Sequence, residues 1–229
     1  MNELEITGRA RTHIVALDTP RCALHYEVVA AFLAMRDAAV RDGIDLHAAS
    51  SFRDFDNQVA IWNAKWSGER PLLDRRGQPL ESAALPEATR VDAILCWSAI
   101  PGGSRHHWGS DIDVIDRAAL SQGYKVQLVE QEYCEGGVFA SLTHWLDANM
   151  RRFGFFRPFR QDRGGVSPEP WHLSYAPVSL PAIELLDLSV LRRAIEGSAL
   201  ACKAQVLSRL PEIYTRFVLA IDPPQGTSD

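Results

Sequence analysis

Ser104-Arg105-His106-His107-Trp108-Gly109-Ser110-Asp111-Ile112-Asp113 packs imidazoles and carboxylates into one short stretch behind the Gly102-Gly103 turn. With Val114 and Ile115 continuing the run, its second half reads as a strand on which Asp111, Asp113 and Ile115 share one face. Zinc accepts this set of donors: a tetrahedral catalytic site needs three protein ligands plus an open position for water, with bonds of about 2.0–2.2 Å to nitrogen or oxygen. If the stretch is extended, the neighbours His106 and His107 point to opposite sides, so only one of them faces a metal.

A second cluster, Pro168-Glu169-Pro170-Trp171-His172-Leu173-Ser174-Tyr175, carries two prolines that exclude a helical His-Glu-x-x-His arrangement. Glu169 precedes a proline and is biased towards extended backbone. On the strand that follows, His172 and Ser174 face away from Trp171, Leu173 and Tyr175, so one imidazole enters a cleft while the aromatic side packs inward. Taken singly, each residue has an ordinary role: a histidine satisfied in the core, an aspartate capping a turn, a glutamate on the surface. Their conjunction points to a metal-centred site.

Outward from these clusters, residues 22–42 place apolar side chains at helical spacing and stop at Gly43, which predicts an amphipathic helix. Residues 44–49 read as a short strand, and residues 54–65 as a helix that Asp54 or Asp56 caps. Residues 67–103 are rich in Gly, Pro and charge and read as a loop-rich insertion, which either shapes a cleft or is a solvated excursion. Residues 139–153 form another amphipathic helix closed by Gly154, and residues 182–219 read as helices. This order predicts an α+β fold, a small antiparallel sheet flanked by helices, in a single domain over residues 1–220 with a disordered tail at 221–229.

The bulk properties exclude several classes. A net charge of −5 with mixed signs offers no basic face for nucleic acid. The acidic N-terminus is followed by no apolar run suited to a signal or a membrane span, so a cytoplasmic protein is expected, or an exported one if the chain is a processed form. Cys22, Cys96, Cys134 and Cys202 lack metal-binding spacing, and most are expected to be buried free thiols.

The two clusters and one upstream stretch resemble the zinc D-alanyl-D-alanine carboxypeptidases of the vancomycin-resistance type, in the superfamily that also holds lysostaphin-like peptidases and the hedgehog signalling domain. The family's Ser-x-His-x-x-Gly-x-x-x-Asp block appears as Ser104 to Asp113, its Glu-x-Trp-His block as Glu169 to His172, and its Ser-x-x-Arg-x-x-x-x-Gln block as Ser50 to Gln58. The resemblance implies one Zn2+ per chain held by His106, Asp113 and His172, with Glu169 as catalytic base and Arg53 as donor to an oxyanion or to the substrate's terminal carboxylate. It favours His106 over its rival His107. Gln58, Ser104 and Trp171 are candidates for substrate binding, beside turn, helix-surface and cleft-wall roles. The implied partner is a peptidoglycan-derived peptide losing a C-terminal D-alanine by L,D- or D,D-cleavage. An endopeptidase, a D-Ala-D-Ala dipeptidase and a non-catalytic zinc module are the alternatives. The chain departs from the pattern at Asp111, where many relatives carry a small residue, and at Leu173-Ser174-Tyr175, where relatives often carry an arginine. Asp111 is then placed to support a histidine ligand.

Overall fold

The computed structural model describes residues 1–81 and 84–224. Helix α1 (Glu3–Ile6), capped by Asn2, leads to a hairpin of β1 (Ile14–Asp18) and β2 (Arg21–His25). Helix α2 (Tyr26–Arg41) follows, so the helix expected from Cys22 begins four residues later. Residues 22–25 pair with β1 because Cys22 and Leu24 alternate inwards, and His25 Nδ1 accepts the Glu27 N–H as the cap of α2.

Strand β3 (Leu46–Ser50) and helix α3 (Phe55–Ser67) agree with expectation, and Asp54 caps α3 by accepting the Asn57 N–H. The supposed insertion is more ordered than expected. It holds a small hairpin of β4 (Leu72–Leu73) and β5 (Pro79–Leu80), then helix α4 (Glu87–Trp97), whose Val91, Ile94 and Leu95 are fully buried. That i, i+3, i+4 spacing is a core-facing stripe, obscured in the sequence by the Gly- and Pro-rich residues before it.

After a 3-10 turn (Arg105–Trp108) come β6 (Asp111–Asp116), α5 (Glu130–Tyr133), α6 (Ala140–Asn149), β7 (Phe155–Phe156) and β8 (His172–Tyr175). Helices α7 (Ala176–Leu185), α8 (Leu188–Glu196), α9 (Lys203–Ser208) and α10 (Leu210–Ile213) run into a π-helical stretch, Tyr214–Leu219. None of the described helices is long and apolar enough to cross a membrane.

Strands β3, β6, β8 and β7 form an antiparallel sheet in that order. Its apolar face, with Ile112, Val114 and Leu173, packs on Phe32 and Met35 of α2 and Leu142 and Leu146 of α6. A second core joins Trp62 of α3, α4 and the C-terminal helices. The polar face of the sheet lies between the two.

The tail expected at 221–229 is packed at its start. Asp222 is buried, accepts the N–H groups of Arg160 and Gln161, and pairs with Arg163. Residues 225–229 of that tail lie outside the described residues. All four cysteines are free, but only Cys22 and Cys96 are buried.

If α4 belongs to the core, Ile94→Ala should lower the unfolding free energy by about 2–5 kcal/mol in urea titration. A loss below about 0.5 kcal/mol would return this segment to the surface.

Candidate metal centre and substrate cleft

The β6–β8 register sets Asp113 directly across from His172 and Asp111 across from Ser174, all on the polar face. The 3-10 turn brings His106 to the same place, its ring centroid 4.9 Å from that of His172. Gly109 ends the turn at φ +65°, where an added Cβ would meet His25 N at 2.6 Å, so only glycine allows this turn to sit against β2.

The donor atoms of His106, Asp113 and His172 lie within 4.8 Å of one another. Each imidazole has its outer nitrogen occupied. His106 Nδ1–H donates to the Ser51 carbonyl at 3.0 Å, which leaves Nε2 free 3.5 Å from Asp113 Oδ2. His172 Nε2–H donates to Asp111 Oδ1 at 3.0 Å, which leaves Nδ1 facing Asp113 Oδ1 at 3.3 Å and Glu169 Oε2 at 3.2 Å. Carbonyl and carboxylate partners of this kind fix the tautomer and orientation of a metal-binding histidine.

Asp113 Oδ1 is buried and makes no hydrogen bond. A buried carboxylate oxygen without a donor is costly, and a metal ion would satisfy it. The electrostatics agree. Burial lowers the His172 pKa, yet the carboxylates of Asp111, Asp113 and Glu169 outweigh it and raise it well above the ordinary imidazole value. Three carboxylates therefore converge on a point that calls for positive charge. His106 has its pKa lowered to about 4, chiefly by burial, and stays a neutral donor. Burial also raises the Glu169 pKa.

His107 is excluded as a ligand by its own bonds. Its Nδ1–H donates to the Arg53 carbonyl at 2.6 Å and its Nε2 accepts the Gly102 N–H at 3.1 Å. The reason differs from the one expected, since the stretch is a 3-10 turn and not extended backbone.

Arg53 points into a cavity of about 740 Å3 that Ser104, His106, Asp113, Glu169 and His172 also line. Its guanidinium donates to Gln58 Oε1 at 2.9 Å and Ser50 Oγ at 3.0 Å. Gln58 is fully buried and its amide also donates to the Ala99 carbonyl, so it positions Arg53 and does not face the cleft as a substrate group. Trp171 reaches the cavity wall but is 4 % exposed and packs on Tyr133 in the core beneath the sheet, which leaves no open face for stacking a substrate.

Arg105 is the residue that sequence reasoning missed. It is buried, donates to Asp111 Oδ1 at 2.8 Å and to Ser174 Oγ at 2.6 Å, and lies over Trp108. Burial pushes the Asp111 pKa up, but the Arg105 charge and the bond to His172 prevail and keep it below the usual carboxylate range. The signal was present: a carboxylate inside a buried strand requires a cation near it.

Membership of a peptidase family defines the class of the molecule. Residues 21–178 match the VanY model, D-alanyl-D-alanine carboxypeptidase, and the chain belongs to that family. It is similar to an uncharacterised protein of Haemophilus influenzae, 34% identical over 122 residues that make up 52% of this chain and 93% of the relative. The vancomycin-resistance D,D-pentapeptidase VanY, solved with Zn(II), superposes with a TM-score of 0.52 at 23% identity over 86% of this chain and 92% of that one. The LD-carboxypeptidase LdcB does so with 0.51 at 22% identity over 83% and 80%. These two likenesses bear on the fold.

Removing the Asp111 charge should weaken the grip on His172 without touching a direct ligand. Asp111→Asn is expected to lower divalent-metal affinity by about 10–100-fold, measured by competition with a chromophoric chelator. Unchanged affinity would mean that His172 needs no such support.

Proposed function

We propose that the protein is a zinc-dependent carboxypeptidase that removes a C-terminal D-alanine from peptidoglycan-derived peptides, with one Zn2+ per chain held by His106, Asp113 and His172. The observation that carries this reading is the convergence of two imidazole nitrogens and an unsatisfied carboxylate oxygen beside Glu169. Family membership supports the substrate class.

A bound zinc supplies Lewis acidity, polarising the scissile carbonyl and lowering the pKa of water at an open position. Glu169 accepts the proton of the attacking water and passes it to the departing amine nitrogen as the C–N bond breaks. Its raised pKa favours that second transfer. Arg53, held by Ser50 and Gln58, presents its remaining N–H groups to the terminal carboxylate of the peptide or to the oxyanion. Ser104 stands in the cavity wall as a further polar contact.

The test is mass spectrometry of zinc-loaded protein incubated with muropeptide tetrapeptide, pentapeptide and free D-Ala-D-Ala. Loss of one alanine is expected, from the tetrapeptide most readily. Intact peptides in the presence of bound zinc would overturn the proposal. Glu169→Gln should retain zinc and lose turnover by about 10²–10⁴-fold, and a fully active variant would remove Glu169 from the mechanism.

A further inference from the structure

Glu169 is carried by a loop between β7 and β8, and not by either strand. Two hydrogen bonds close the neck of that loop: the Glu169 N–H donates to the Phe159 carbonyl at 2.8 Å, and Arg157 Nε–H donates to the Pro170 carbonyl at 2.8 Å. A loop whose ends meet in this way is shaped by its own packing and by what borders it. The Glu169 carboxylate, with Oε2 3.2 Å from His172 Nδ1, lies where the neck places it.

The body of the loop is fastened to its surroundings. Arg75, in the turn between β4 and β5, pairs with Asp162 and donates to the Gly165 carbonyl, and the Ser167 N–H donates to the Cys96 carbonyl of α4. The C-terminal part of the chain borders the loop most closely. Arg216 of the π-helical stretch donates to the Gly164 carbonyl at 3.0 Å, and a Cβ added to Gly165 would meet the Arg216 carbonyl oxygen at 1.8 Å, so the two backbones are in contact.

Asp222 differs from these fasteners. The side chains of Arg75 and Arg216 are partly exposed, and so are the carboxylates they pair with, so water competes for those bonds. Asp222 is 2 % exposed. Its Oδ2 accepts the N–H groups of Arg160 and Gln161, each at 2.9 Å, its Oδ1 accepts from Arg163 at 2.9 Å, and its own N–H donates to the Pro158 carbonyl at 2.8 Å. Burial withholds water from this carboxylate, so releasing the loop would leave it unsatisfied. Its bonds grip the backbone on both sides of Phe159, the residue whose carbonyl holds the Glu169 N–H and whose ring packs edge-on against His172 at 5.1 Å.

We propose that Asp222 is a positioning residue for Glu169: by gripping Pro158, Arg160 and Gln161 it fixes the Phe159 carbonyl against which the base is set. The inference rests on the carboxypeptidase reading, in which Glu169 is the base, and makes turnover depend on a residue outside the stretch 21–178 that matches the family model. His106, Asp113 and His172 are carried by the 3-10 turn, β6 and β8, and Arg53 lies just before α3. Loosening the loop therefore moves the base and leaves metal and substrate contacts in place.

The test compares zinc-loaded variants of the full chain. Asp222→Ala should lose about 10–100-fold in kcat, with KM and zinc affinity within about two-fold of the wild type. Asp222→Asn keeps a carbonyl oxygen for the Arg160 and Gln161 N–H groups and should recover most of the loss. Gly165→Ala forces the loop off Arg216 without touching a charge and should also lower kcat; it carries the same test if Asp222→Ala does not fold. Hydrogen exchange read by mass spectrometry follows the loop itself: the peptide containing the Glu169 amide should exchange faster in Asp222→Ala, and β6 should not. Full kcat in a variant whose loop exchanges faster overturns the proposal, as does a fall in kcat accompanied by lost zinc affinity or by faster exchange in β6, which would assign Asp222 to general stability. Unchanged protection of Glu169 overturns it as well. If the wild type removes no alanine, the carboxypeptidase reading fails, and exchange alone decides whether Asp222 holds the Glu169 loop.

Discussion

The pairing of Asp113 with His172 across β6 and β8 is the constraint on which the site depends. Side chains alternate along a strand, so a slip of one residue would set Leu173 in place of His172 and turn the polar face into the core. Two forces hold the register. Ile112, Val114 and Leu173 are fully buried on the other face, and Arg105 ties Asp111 to Ser174, which are themselves register partners. Slippage would break the Arg105 bond to Ser174 and the His172 bond to Asp111 and leave buried polar groups unsatisfied, at about 1–3 kcal/mol each. The ion pair stabilises one register among several, whatever its net contribution to folding.

The same pair sets the electrostatics of the candidate metal centre. Asp111 keeps its charge because of Arg105, and that charge holds the His172 proton on Nε2, away from the point where the donors meet. The Ser51 carbonyl does the same for His106. Asp113 and Glu169 are then left facing each other without a compensating charge other than Arg53 and the His172 proton. Their repulsion is relieved when a cation enters, so metal binding and the stability of this face are coupled.

How far the sequence disclosed this arrangement depended on the range of the interaction. The alternation of Asp111, Asp113 and Ile115 is a local signal and placed β6 correctly. His172 and Ser174 on one face followed from the same period, and the Asp54 cap marks the start of α3. The β1–β2 hairpin escaped because Cys22 and Leu24 suit either period and only pairing with β1 decides. Helix α4 escaped because its stripe is short and follows a run of turn formers. The buried carboxylate of Asp111 called for a cation, but the partners of Gln58 and Arg105 could not be read from spacing, since each depends on what the fold brings within reach: the Ala99 carbonyl for one, Ser174 for the other.

Glu169 poses the opposite problem, because it lies in a long irregular segment between β7 and β8 where backbone freedom is greatest. In the role proposed for Glu169, a displacement of about 1 Å would cost much of its effect, and the segment is anchored. Its own N–H donates to the Phe159 carbonyl at 2.8 Å, and the Phe159 ring packs edge-on against His172 at 5.1 Å. Asp222 then caps Arg160 and Gln161, and its N–H donates to the Pro158 carbonyl. The position of Glu169 is thus set by residues that follow the last helical stretch, well beyond the residues 21–178 that match the family model. Phe217 and Val218 of that stretch also form part of the cavity wall. The C-terminal helices are therefore a structural part of the cleft: they bury one side of the second core, and the residues after them hold the Glu169 segment against His106, Asp113 and His172.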